Sequence, residues 1–99
     1  MDDDEKVLKA CSEGNLSIIK NMQMNGYVFK QSALETASEK GHMELVQYLV
    51  ETCGLKALAN NREAMKRATN NGHAKIFFYL QKKSFEEINT PRAIPNLVK

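Results

Sequence analysis

Three stretches of the chain share one beat of apolar and polar positions, and each is set out from a glycine. Gly14, Gly41 and Gly72 are preceded four residues earlier by Ala10, Ala37 and Ala68. Two residues after each glycine come Leu16, Met43 and Ala74; four and five after come Ile18-Ile19, Leu45-Val46 and Ile76-Phe77; eight after come Met22, Leu49 and Leu80. Positions four, five and eight beyond a fixed point share one face of a 3.6-residue helix. Intervening positions such as Lys20 and Gln47 are polar. Upstream of each glycine a shorter segment carries apolar residues at three- and four-residue steps: Val7, Ala10 and Cys11; Leu34 and Ala37; Met65 and Ala68. The pattern predicts three helical hairpins, each first helix closed by a glycine in the left-handed conformation. Start signals stand at Asp2–Asp4, Ser32 and Asn60-Asn61, with Asp4 and Glu5 at the positive end of the first helix dipole. No segment of the body alternates with period two, so the expected fold class is all-α. Matching glycines 27 and 31 residues apart make this a repeat with variable connectors, which means stacked supersecondary units.

The second unit, Ser32 to Val50, resembles an ankyrin repeat. Leu34, Ala37, Gly41, His42, Leu45, Val46, Leu49 and Val50 stand where that family's pattern of T-P-L-H-x-A-A, then G-H, then I-V-x-x-L-L wants them. The third unit keeps Met65, Ala68, Gly72, His73, Ile76, Phe77 and Leu80, and the first keeps Val7, Ala10, Gly14, Ile18, Ile19, Met22 and Gly26. The likeness covers residues 4–83. No unit holds a full T-P-L-H, alanine replaces proline at Ala33 and Ala64, and Cys53 looks like a one-residue insertion before Gly54. From Gly26 to Ala33 the connector is too short for a projecting β-hairpin finger. The resemblance therefore implies a degenerate ankyrin-like stack, an α-solenoid with shortened inter-repeat loops. It is read as a single domain, 1–99, with repeats at about 4–30, 31–59 and 60–83 and a capping tail at 84–99. Tetratricopeptide units would bring a tryptophan, absent here, and HEAT-type units are longer, about 40–47 residues.

Charge and composition narrow the function classes. The 99 residues carry 14 Lys and Arg against 12 Asp and Glu, a net +2, so nothing in the charge balance calls for nucleic acid. No apolar run approaches the roughly 18–20 residues of a membrane helix. The acidic start, MDDDEK, lacks the apolar segment of a secretory leader. Two cysteines without such a leader point to a reducing, cytoplasmic setting.

Candidate chemistry adds little. Cys11, His42, Cys53 and His73 form no pair at metal-ligand spacing, and no metal or cofactor is expected. His42 and His73 occupy one repeat position, where the resemblance implies that the imidazole ties the inter-helix turn to its neighbour. Cys11 is expected inside the core, and Cys53 near a helix end. Tyr48 and Tyr79 recur in phase and are expected to pack over the neighbouring helix rather than stack on bases. There is no phosphate loop and no nucleophile motif, so no enzyme is expected.

Binding remains. The resemblance implies a concave face built from exposed positions of the first helices: Lys9, Ser12 and Glu13; Thr36, Glu39 and Lys40; Arg67, Asn70 and Asn71. Its expected ligand is a protein partner, bound without turnover. Alternatives are a small inhibitor or effector that masks an enzyme and a homo-oligomeric structural component; the expected state is a monomer or weak homodimer. Phe78 breaks the pattern, standing where Lys20 and Gln47 are polar. Phe85, Ile88, Ile94, Leu97 and Val98 are expected to cover it if residues 84–99 fold back as a cap; the alternative is that Phe78, with Phe85 and Ile88 of the tail, forms a partner or self-association site.

Overall fold

The computed structural model describes residues 3–88. Six helices follow one another: α1 (Asp3–Glu13), α2 (Leu16–Met24), α3 (Gln31–Lys40), α4 (Met43–Glu51), α5 (Ala59–Asn70) and α6 (Ala74–Ile88). They pair as three hairpins, and no strand occurs among the described residues. The first helices α1, α3 and α5 pack closely in a row, while α6 meets α4 more sparingly. The stack is thus tight along its first helices and looser along the second.

Each hairpin turn is built the same way. The N–H of the residue after the glycine reaches back to the alanine carbonyl: Asn15 to Ala10 at 2.8 Å, His42 to Ala37 at 3.1 Å, and His73 to Ala68 at 2.8 Å. The glycine N–H bonds one residue further on, to Cys11, Ser38 and Thr69. This paired pattern satisfies carbonyls a helix end otherwise leaves open, and it needs a left-handed residue between them. Gly41 supplies it at φ 84°. The three alanines are wholly buried, at 1% exposure or less, in the interior where the first helices crowd.

The predicted faces form the core. Val7, Ile19, Leu34, Leu45, Val46, Leu49, Ile76 and Leu80 are buried, as is Cys11. Burial raises the Cys11 thiol pKa to about 12, with a smaller contribution from Cys53. Phe29 and Ala57 also join the core from the connectors, which a period read only within helices does not reach.

Helix starts differ from expectation at two places. Lys30 is extended (φ −90°, ψ 161°) and makes no side-chain cap bond, so α3 begins at Gln31 and places Ser32 inside its first turn. The short connector leaves no slack residue ahead of Ser32 to serve as an entry. In α5, Asn60, Asn61 and Arg62 form a left-handed turn with φ of 55°, 57° and 62°. Asparagine tolerates this conformation because its short amide bonds locally. Right-handed geometry follows from Glu63.

The end of the chain departs further. Helix α6 runs on through Ile88, so residues 84–88 are its final turns. Phe85 and Ile88 lie on the same helix as Phe78 and extend its exposed stripe instead of folding over it; the three are 58%, 56% and 63% exposed. Ile94, Leu97 and Val98, the other residues expected to cover Phe78, lie outside the described residues.

Candidate protein-binding face

The row of first helices positions the nine candidate contact residues in three registers. Lys9, Glu13, Lys40, Asn70 and Asn71 are exposed, whereas Ser12, Thr36, Glu39 and Arg67 are half-buried. They do not behave alike. Arg67 is the hub of a polar network between α3 and α5. Its Nε donates to Glu63 Oε2 at 2.8 Å and its Nη1 to Glu39 Oε1 at 3.2 Å, and Glu35 Oε1 lies 4.0 Å away. The hydrogen bond to Glu63, with the neighbouring carboxylates, pushes the guanidinium pKa above its usual value. Lys40 Nζ lies 4.0 Å from Glu39, and Asn71 Nδ2 donates to the Arg67 carbonyl at 2.8 Å. Of the nine, then, Glu39, Lys40, Arg67 and Asn71 are drawn together, while Lys9 and Glu13 stand apart on α1.

Three members of the network were not among the sequence candidates: Glu35, Asn60 and Glu63. Glu35 is 6% exposed, and its carboxylate is held by Asn60 Nδ2 at 2.6 Å as well as facing Arg67. A buried carboxylate needs such partners. The sequence did carry a signal. Glu35 and Glu39, four apart on one helix, repel unless a cation joins them, and Glu63 and Arg67 have the spacing of a helical ion pair.

Between hairpins, the recurring side chains act as ties. His42 Nε2 donates to the Ser12 carbonyl at 2.9 Å and His73 Nε2 to the Glu39 carbonyl at 3.0 Å. Each ring rests on the glycine of the preceding turn: a Cβ on Gly14 would come within 2.6 Å of His42, and one on Gly41 within 2.6 Å of His73. Tyr48 donates to Gln23 at 3.2 Å and Tyr79 to Glu51 at 2.5 Å, with Lys20 and Lys83 over their rings at 5.9 and 5.6 Å. Both tyrosines thus link a second helix to the one before it. Cys53 is half-buried near the end of α4, and burial raises its thiol pKa.

The outcome is a braced, polar ridge that can offer hydrogen bonds and charges of both signs to a folded surface. No helix among the described residues is long and apolar enough to cross a membrane.

Comparison with known proteins agrees with this architecture. A family model for ankyrin repeats in three copies matches residues 7–92. An ankyrin repeat protein of Acanthamoeba polyphaga mimivirus is 38% identical over 47 residues, which is 48% of this chain and 8% of the viral protein. The chain therefore spans a small fraction of that relative's length. No solved structure matches it. With the repeat turns, the histidine ties and the family match over residues 7–92 in agreement, the chain belongs to the ankyrin-repeat family.

Proposed function

We propose that this chain is a non-catalytic binding module that engages a protein partner through the exposed positions of α1, α3 and α5. Ankyrin repeats generally serve as protein–protein interaction modules and are typically non-catalytic. The observation that carries the reading is the side-by-side row of first helices, whose outward positions Lys9, Glu13, Lys40 and Asn70 are exposed. Arg67 and Glu39 support that row from within. Their ion pair bridges α3 and α5 at 3.2 Å. A rigid array loses little conformational entropy on binding, which favours affinity.

The test is affinity capture with the intact chain beside a variant carrying Lys9→Glu, Glu13→Lys and Asn70→Asp. These positions avoid the hub at Arg67, so the variant is expected to melt within a few degrees of the parent, since exposed substitutions cost about 0.5 kcal/mol or less. Loss of specific prey from the variant supports the reading. Prey retained equally by both removes the first-helix face as the binding surface.

A further inference from the structure

The last hairpin carries a second surface, which meets the first-helix ridge at Asn70. On α6, Ala74, Phe78, Gln81, Phe85 and Ile88 recur at steps of three and four and so share one face; its three large apolar members are each more than half exposed. Beside them runs α5. Between the two helices lies an open groove of about 470 Å³ lined by Arg62, Met65, Lys66, Thr69, Phe77 and Gln81. A second hollow of about 270 Å³ adjoins it at Gly72, Phe77 and Phe78.

The inner junctions show what this kind of face takes. At Gly14 and Gly41 the following hairpin lays an imidazole on the turn; at Gly72 no described residue lies within 4 Å of where a Cβ would stand. The charge at the equivalent positions also changes, from two acids to one base and one neutral residue. In α3 the face toward the next hairpin presents Glu35 and Glu39, which receive Arg67. One repeat later, 31 residues on, the same positions are Lys66 and Asn70. Arg62, Lys66 and Lys82 are exposed, and none is ion-paired among the described residues. Lys66 and Arg62 stand on the α5 side of the apolar stripe and Lys82 on its other side. An apolar stripe flanked by cations on both sides fits an amphipathic helix with acidic flanks, laid in the groove by its apolar face.

Charge also separates this occupant from two nearer ones. Residues 89–99 contain Arg92 and Lys99 and no acid, with Pro91 and Pro95. A second copy meeting this face with its own would set Lys82 and Lys66 against like charges. We propose that the α5–α6 face docks an amphipathic helix of another protein, with apolar residues over Phe78 and Phe85 and carboxylates toward Lys66 and Lys82.

The experiment is selection from a displayed library of amphipathic helices with fixed leucines at helical spacing and Glu or Lys randomised at the flanks, using the full chain as bait. Acidic flanks are expected to dominate the selected helices. Bait carrying Lys66→Glu and Lys82→Glu is expected to bind those helices at least about tenfold more weakly and to select lysine flanks instead, an inversion that misfolded bait does not produce. Bait carrying Phe78→Ser and Phe85→Ser is expected to select none. Failure to enrich any helix, or the same flanks chosen by parent and charge-reversed bait, overturns the proposal. So does concentration-dependent sedimentation of the full chain that Phe78→Ser abolishes, which would assign the face to a second copy.

Discussion

The carboxylate of Glu87 accepts the backbone N–H of Ala57 at 2.7 Å and, through its other oxygen, that of Leu58 at 3.1 Å. Helix α6 is 15 residues long where α2 and α4 have nine, and its added turns carry this carboxylate back to the entry of α5. The bond closes the third hairpin on itself from beyond the last repeat position. Glu87→Ala leaves two N–H groups without their acceptor and is expected to cost about 1–2 kcal/mol, a fall of roughly 5–10 °C in melting temperature. Glu86→Ala, one residue away, serves as the control and should shift it far less. Equal shifts in both would deny Glu87 its capping role.

The turn glycines offer a paired comparison. Gly41 and Gly72 have nearly the same backbone, φ 84° and 77°, but only Gly41 lies under a histidine. Alanine at either position bears the left-handed strain, about 1–2 kcal/mol. At Gly41 its Cβ must also displace the His73 ring and with it the bond to the Glu39 carbonyl. Gly41→Ala is therefore expected to destabilise by at least about 1 kcal/mol more than Gly72→Ala, the worth of one hydrogen bond. Denaturant melts of the two variants measure the difference, and parity would mean that the histidine is no structural tie.

Ser38 occupies the position held by Cys11 one repeat earlier and is wholly buried, with no hydrogen-bond partner for its Oγ among the described residues. A buried hydroxyl without a partner costs about 1–3 kcal/mol. Ser38→Ala removes it and leaves a space smaller than a methyl group. The variant should unfold at higher denaturant, by an equivalent of about 1 kcal/mol. A lower midpoint would show that the hydroxyl has a partner in solution.

How much of this was legible beforehand depended on whether a feature repeats. The hairpins, the left-handed turns and the core at Leu34, Leu45, Val46 and Leu49 are stated three times in phase, so period and glycine spacing sufficed. The histidine position recurs only at His42 and His73, Asn15 standing there in the first unit, and its role was legible through the family resemblance. Features that occur once were not. Asn60 in its left-handed turn, buried Glu35 and the reach of Glu87 each depend on a partner 25 to 30 residues away, and no local period encodes such pairs. The exposure of Phe78 was foreshadowed by its breach of the polar pattern. The expectation of a tail folding back from residue 84 missed that Phe85 and Ile88 extend it, although no helix-breaking residue stands between Ala74 and Ile88.

Asn60 tests the singular features directly. It is the only one of the three left-handed residues in α5 whose side chain is bonded to buried Glu35. Asn60→Ala loses both the conformational tolerance and the bond, and is expected to cost about 2–3 kcal/mol. Asn60→Gly keeps the backbone freedom and loses only the bond, so it should fall between the parent and alanine. If glycine matches alanine, the backbone plays no part; if glycine matches the parent, the Glu35 bond contributes nothing.

Alkaline titration reads the buried thiol. Cys11 has its pKa raised to about 12 by burial, against about 8.5 in an unfolded chain. The folded state thus keeps its proton while the unfolded state loses it. The stabilising contribution is complete below about pH 8.5 and is lost progressively as the pH climbs toward 12. Tyr79, raised by burial and by the Glu51 carboxylate, adds a second loss of the same sign beginning near pH 10, where free tyrosine ionises. Cys11→Ala is expected to lower stability at neutral pH through the space it opens, and to flatten the decline between pH 8.5 and 10. Tyr79→Phe should leave that interval alone and flatten the decline above it. Denaturant midpoints measured in steps from pH 7 to 11 separate the two, and an unchanged slope in Cys11→Ala would mean that the thiol ionises in the folded chain as readily as in the unfolded one.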